Sequence, residues 1–159
     1  MRVLLAAVVI VALALTGCSG KIDLNAEQVT AQLKQAGLPV ANVAVYTAKT
    51  DPNKLLGRSN GYASKTAFDD TRVDLSKFQK GEVPRGGGVE VFDTADAAQR
   101  RGEYIAKIQQ ASSLLGSEYL YTSGPVLLRI SGELTPEQAK GYANALADIT
   151  SADVAPVEP

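Results

Sequence analysis

The chain contains a single cysteine, Cys18, and therefore cannot form an internal disulfide. A folded domain built from this chain has to be stabilised by its hydrophobic core alone. The composition allows this, because 45% of the residues are hydrophobic and 21% are charged, which is ordinary for a globular protein. The length suits one domain with a sizeable core.

The N-terminus has the three parts of an export leader. Arg2 is followed by an apolar stretch over residues 3–15 and by the small residues Thr16 and Gly17, directly before Cys18. A bilayer span needs roughly 20 residues. The stretch is shorter than that, so a membrane-spanning helix is the weaker interpretation.

Residues 15–18, Leu-Thr-Gly-Cys, resemble the lipobox of bacterial lipoproteins. The resemblance implies that the Cys18 sulfur is diacylated and that the leader is cut before it. It also implies a protein attached to the cell membrane by this lipid anchor, facing the extracytoplasmic side. The alternative is an ordinary secretory cleavage site with a small residue at position 18.

The sequence indicates one folded domain with short flanking segments. We predict a lipoprotein signal peptide over residues 1–17, a lipidated N-terminus and short tether over 18–24, a single globular domain over 25–150, and a flexible tail over 151–159.

Within the domain, the pattern predicts the element order α-β-β-β-α-β-β-α. Helices are expected after the caps Asn25, Thr94 and Thr135, the second extending to about Leu115. Strands are expected at residues 43–46 (buried), 62–68, 89–92, 119–121 and 126–130. This order predicts a two-layer α+β domain, with the helices packed on one face of a mainly antiparallel sheet of four or five strands.

Histidine is absent, which excludes several classes of active site. Ser-His-Asp and Cys-His nucleophile systems and histidine-based metal sites are ruled out. Acid–base chemistry would have to use Asp, Glu, Lys or Tyr. The glycine run Gly86-Gly87-Gly88 is predicted to enter a strand and not a helix. It therefore lacks the helix N-terminus with which glycine-rich loops bind the phosphates of a cofactor. No basic run is dense enough to predict nucleic-acid binding.

The segment over residues 51–65 carries the best candidate ligand-binding groups. An arginine fork suits a carboxylate or phosphate, and Gly57 and Gly61 let backbone amides approach a partner. The candidates are Lys54, Arg58, Asn60, Tyr62 and Lys65. The alternative is structural: Arg58 and Lys65 would pair with Asp51, Asp69 or Asp70 and hold a long loop in place.

A calcium site among the aspartates is not predicted. An EF-hand loop starting at Asp51 would need Gly at its sixth position and Glu at its twelfth, where this chain has Leu56 and Tyr62.

Residues 51–65, 67–70 and 87–92, together with the final Leu-Thr-Pro-Glu-Gln-Ala helix start at 134–139, resemble a family of small uncharacterised bacterial lipoproteins common among actinobacteria. The shared stretch is similar to DPNKLLGR-x-x-GY-x-SK. The resemblance covers roughly residues 51–146 and implies location and fold, since the family has no established activity.

These observations favour a non-catalytic binding or scaffolding module of the cell envelope. Its partners would be the membrane, through the anchor at Cys18, and an envelope protein or anionic ligand, since residues 49–85 carry an excess of basic side chains. One alternative is an envelope enzyme using Asp, Glu or Lys chemistry, which requires a cleft with a carboxylate of raised pKa. Another is a carrier of lipids or hydrophobic molecules, which requires an apolar cavity between helices and sheet.

Overall fold

A computed structural model describes residues 23–112 and 117–158. The predicted signal peptide, Cys18 and the predicted helix end at Leu115 lie outside these residues. The elements in chain order are α1 (Ala26–Gln35), β1 (Val40–Val45), β2 (Ser64–Asp70), two short 3-10 turns (Leu75–Lys77 and Val83–Arg85), β3 (Gly86–Val91), α2 (Ala95–Ala111), β4 (Glu118–Ser123), β5 (Val126–Ser131), α3 (Pro136–Thr150) and β6 (Ala155–Pro156).

The strands form one antiparallel sheet in the order β1-β2-β3-β5-β4-β6. The predicted α+β class and antiparallel sheet are confirmed, with six strands where four or five were expected. The additional strand comes from the tail that was expected to be flexible. Ala155 and Pro156 pair with β4, and Val157 is buried. The tail is docked because this pairing carries an apolar side chain into the core.

The helices are divided between the two faces of the sheet. Alternate strand residues point to opposite faces. Val89 and Leu128 belong to the core cluster that contains the buried residues of α1 and α3. Leu120 and Leu127 belong to a second cluster with Ala98 of α2. This differs from the expected packing of all helices on one face. The reason is that β5 has apolar side chains on both sides, Leu128 towards α1 and α3 and Leu127 towards α2, so both of its faces need a cover.

The helix starts follow the predicted caps. The side chains of Asn25 and Thr135 each accept a hydrogen bond from the backbone amide three residues on. The side-chain oxygens of Gln28 and Gln138 accept in turn from the backbone amides of Asn25 and Thr135, which completes two capping boxes. The Thr94 hydroxyl accepts from the amide of Ala97 and begins α2.

β1 is not the buried strand that was expected. It is the outermost strand of the sheet, and its pairing with β2 is irregular between Ala41 and Ala44. Val43 and Val45 are 42% and 52% exposed, because among the described residues no further strand pairs with this edge.

Close packing explains the glycines that begin β3. A Cβ atom on Gly87 would lie 2.6 Å from Phe68 Cζ and 2.7 Å from the Arg129 carbonyl oxygen. The glycine therefore lets β3 sit between its two neighbours, which fits its place inside a strand.

Two helical glycines give a test of the docked tail. Replacing a helical glycine by alanine normally stabilises a protein by about 0.5–1 kcal/mol. We expect this gain for Gly141→Ala in α3, where the new Cβ would lie 3.9 Å from Leu38. Gly102→Ala in α2 should give less or be destabilising, because its Cβ would lie 3.0 Å from Val157. Urea unfolding measures both, and equal gains would contradict the docking of Val157 on α2.

Candidate functional site

The sheet face covered by α2 carries a set of buried charges, here called the ion-pair cluster. Strand alternation places Lys65 of β2 directly opposite Glu90 of β3. Arg129 of β5 lies on the same face, and α2 adds Arg101 above it. The cluster consists of Asp51, Lys65, Glu90, Arg101, Glu118 and Arg129.

Glu90 lies at the centre of the cluster and is 1% exposed. Its carboxylate accepts from Arg129 Nη1 at 3.0 Å and from Arg101 Nε at 3.2 Å. Lys65 Nζ lies 3.9 Å away. Glu90 is buried because α2 covers that face of the sheet.

Arg129 is fully engaged by two carboxylates. Besides Glu90, it holds Glu118 through Nε at 2.8 Å and Nη2 at 2.7 Å. Burial alone would lower the pKa of Arg129, but the hydrogen bonds and negative charges of Glu118 and Glu90 raise it above its ordinary value. This guanidinium therefore has a structural role, joining β5 to β3 and β4.

Asp51 fixes the loop between β1 and β2. Its carboxylate accepts from the amides of Leu55 at 2.8 Å and Leu56 at 3.1 Å, and from the Tyr62 hydroxyl at 2.6 Å. Lys65 Nζ lies 3.3 Å from the same carboxylate. The loop is thus folded around a buried acid.

The electrostatics of this loop follow from its burial and its hydrogen bonds. Burial opposes ionisation of Asp51, but the Tyr62 hydroxyl and the two amides outweigh it and lower the pKa to about 2. Burial lowers the pKa of Lys65, and Glu90 and Asp51 oppose that change. Burial and the hydrogen bond to Asp51 raise the pKa of Tyr62.

The structure separates the five sequence candidates into two groups. Tyr62 and Lys65 are 0% and 6% exposed, respectively, and their polar groups face Asp51. Lys54, Arg58 and Asn60 are exposed on the loop. Of these three, Asn60 lines a groove beside α2, described below.

At the opposite end of the sheet, Asp69 and Asp70 are each paired with an arginine. The Asp69 carboxylate accepts from Arg85 Nε and Nη2, both at 2.7 Å, and these hydrogen bonds lower the pKa of Asp69. Asp70 accepts from Arg72 and, at 2.7 Å, from the Tyr142 hydroxyl of α3. Across residues 23–112 and 117–158, no three acidic, cysteine or histidine side chains converge to hold a metal ion.

A groove of about 760 Å³ runs along α2, between this helix and the loop. Its size is within the range of small-ligand sites. Tyr104, which lines it, is 58% exposed, and Ile105 forms part of its apolar wall. The lining residues are Asn53, Leu55, Asn60, Ala97, Arg100, Arg101, Tyr104, Ile105, Ile108, Gln109, Glu118 and Arg129.

Sequence reasoning did not select Arg101, Tyr104, Glu118 or Arg129. One indication was present for Arg129, which interrupts the apolar run Val126-Leu-Leu-Arg-Ile130. A charge inside a buried strand requires a partner, but the sequence does not say which acid supplies it.

The fold and site define a small α+β domain with a positively lined groove. Comparisons with protein-family models, curated proteins and solved structures found no match to this chain. The resemblance to small actinobacterial-type lipoproteins therefore stays a prediction. In the part of the chain that the structure describes, no helix has both the length and the apolar character needed to cross a bilayer.

The lowered pKa of Asp51 makes a testable contribution to stability. A carboxyl group with a pKa of about 2 in the folded state, against an ordinary 3.8, stabilises the fold above pH 3.8, and this stabilisation is lost as the pH falls towards 2. The shift corresponds to about 2 kcal/mol. In Asp51→Asn, the loss of unfolding free energy between pH 5 and pH 2 should be smaller than in the wild type by this amount.

Urea unfolding at several pH values measures this difference. Asp148→Asn is the control, because Asp148 is exposed on α3 and makes no salt bridge with the described residues. Parallel curves for Asp51→Asn and the wild type would show that Asp51 is not held in its charged form by the loop.

Proposed function

We propose that this protein is a membrane-anchored extracytoplasmic lipoprotein that acts as a non-catalytic binding module of the cell envelope. Its ligand site is the groove between α2 and the loop over residues 51–61. The observation that carries the binding site is the groove itself, whose lining combines three arginines and an exposed tyrosine with an apolar strip of Leu55, Ala97, Ile105 and Ile108.

The state of the buried acids supports binding over catalysis. A general acid needs a carboxyl group with a raised pKa. The pKa values of Asp51, Asp69 and Asp70 are instead lowered, because each accepts hydrogen bonds that favour its charged form. Glu90 is held by two arginines. These acids hold segments of the fold together.

The anchor is supported by the leader, in which Cys18 follows an apolar stretch and two small residues. A diacylated cysteine holds a protein on a bilayer without any apolar surface on the domain, because each buried methylene contributes about 0.8 kcal/mol. The groove is then free to serve a ligand.

Removal of the cysteine tests the anchor. In a bacterium that processes lipoproteins, the wild-type chain should incorporate a palmitate analogue and fractionate with membranes. Cys18→Ala should incorporate none and should keep its leader, whereas the neighbouring control Ser19→Ala should behave as the wild type. Equal labelling of Cys18→Ala and the wild type would contradict lipidation at this residue.

An NMR titration tests the groove as a binding site. The protein would be the mature chain from residue 18, with Cys18→Ser, which retains all described helices and strands. We expect soluble peptidoglycan fragments or anionic lipid micelles to shift the amides of Ala97, Ile105 and Ile108. Amides of α3, such as Lys140, should not move. Unchanged groove amides with both probes would contradict the proposal.

A further inference from the structure

We infer that the groove binds an anionic amphiphile, with an acidic head on Arg101 and an apolar chain along α2. This inference rests on the proposed function and names the chemical class of its ligand. The head is a carboxylate or a phosphate monoester or diester, and the tail is an unbranched hydrocarbon chain.

The charge of the lining favours an anion. The charged side chains in the groove are Arg100, Arg101, Arg129 and Glu118. Arg129 is occupied by Glu118 and Glu90. Arg100 is 55% exposed at its side chain and pairs with Asp96 one turn earlier on α2. Arg101 is also paired with Glu90, but through Nε alone, so it is the buried cation of the lining with donors left for a ligand.

Arg101 is held in a fixed orientation but keeps donors available. Its side chain is 15% exposed, and among the described residues its carboxylate hydrogen bond is made through Nε to Glu90. In the amide orientation that satisfies its neighbours, the Asn53 oxygen accepts from Arg101 Nη2 at 3.3 Å and from Lys65 Nζ at 2.9 Å. Nη1 has no such partner among these residues. A guanidinium edge presented in this way matches the two oxygens of a carboxylate or phosphate.

The rest of the groove suits a hydrocarbon chain. Ala97, Ile105 and Ile108 follow one another along α2, and Leu55 faces them from the loop. The distance from residue 97 to residue 108 is about 16 Å along a helix. Tyr104, whose ring centroid lies 5.6 Å from the Arg101 guanidinium, is exposed at the same wall. A hydrocarbon chain on this strip would also cover the exposed part of the Tyr104 ring.

The test is a titration of the mature chain with matched probes below their micelle-forming concentrations. The probes are laurate, lysophosphatidylglycerol with a 12-carbon chain, dodecyl maltoside and inorganic phosphate. We expect laurate, the lysophospholipid or both to shift the groove amides saturably, at least tenfold tighter than dodecyl maltoside. Inorganic phosphate should give no saturable shift. The tighter of the two anions identifies a fatty acid or a phospholipid as the source.

Two variants test the assigned contacts. Arg101→Gln removes the head contact and should weaken laurate binding at least tenfold, whereas Lys107→Gln, at an exposed cation of α2 outside the groove lining, should change it less than twofold. Because Arg101→Gln also removes a partner of Glu90, a second variant is needed in case it unfolds. Ile108→Asp places an acid on the half-buried wall and should weaken binding tenfold or more, with the spectrum of the folded domain retained.

The outcomes separate this inference from the proposed function. Equal affinity for laurate and dodecyl maltoside would overturn the role of Arg101, and so would unchanged laurate binding in a folded Arg101→Gln variant. Groove shifts with peptidoglycan fragments but with neither anionic amphiphile would overturn the ligand class while leaving the binding module. Unchanged groove amides with every probe would overturn both.

Discussion

The contacts of Glu90 connect most of the elements that form the α2 side of the domain. This acid is buried in the central part of the sheet and is neutralised by side chains from a neighbouring strand and from α2. A buried charge without a partner costs several kcal/mol, and removal of one partner from a buried pair typically costs about 3–5 kcal/mol. The position of α2 over the sheet is therefore specified by charge as well as by apolar contacts. Arg101 can reach Glu90 only when the helix lies at this distance and rotation.

Ion pairs also connect the sheet to the loop. Lys65 stands beside Glu90 and also contacts Asp51, and Asp51 organises the loop through two backbone amides and the Tyr62 hydroxyl. A chain of ion pairs thus links β5, β3, β2 and the loop. The opposite end of the sheet uses separate ties, in which Asp70 joins β2 to α3 through Tyr142. In a chain with one cysteine, which can form no internal disulfide, these buried polar contacts fix the long segments in place.

Local sequence patterns predicted the helix starts and the strand positions well. The capping boxes at Asn25 and Thr135 depend on residues three apart, and such short-range chemistry is visible in the sequence. The strand pairs of residues 119–121 and 126–130 were identified because their apolar runs are separated by a short turn. The docking of the tail, the exposure of β1 and the burial of Glu90 depend on which elements become neighbours. A single sequence does not contain that information. The candidate groove was foreseen only in part for the same reason: its loop wall lies in the segment named from the sequence, but the α2 residues of the other wall were not named.

The groove and the ion-pair cluster both result from the way α2 and the loop over residues 51–61 pack on the sheet. If α2 covered the sheet with apolar side chains alone, the space between helix and loop would close by hydrophobic packing, since protein interiors pack densely. The arginines keep this side of α2 polar, and the loop is held in place by its own buried acid as well as by the contact between Asn53 and Arg101. The space that is left has an apolar strip beside the Arg101 guanidinium. An acidic head group would complete the hydrogen bonding of Arg101, and its chain would cover Tyr104 and the isoleucines. We therefore regard the cluster as the scaffold of the groove, and the groove as the part of the domain left for a partner.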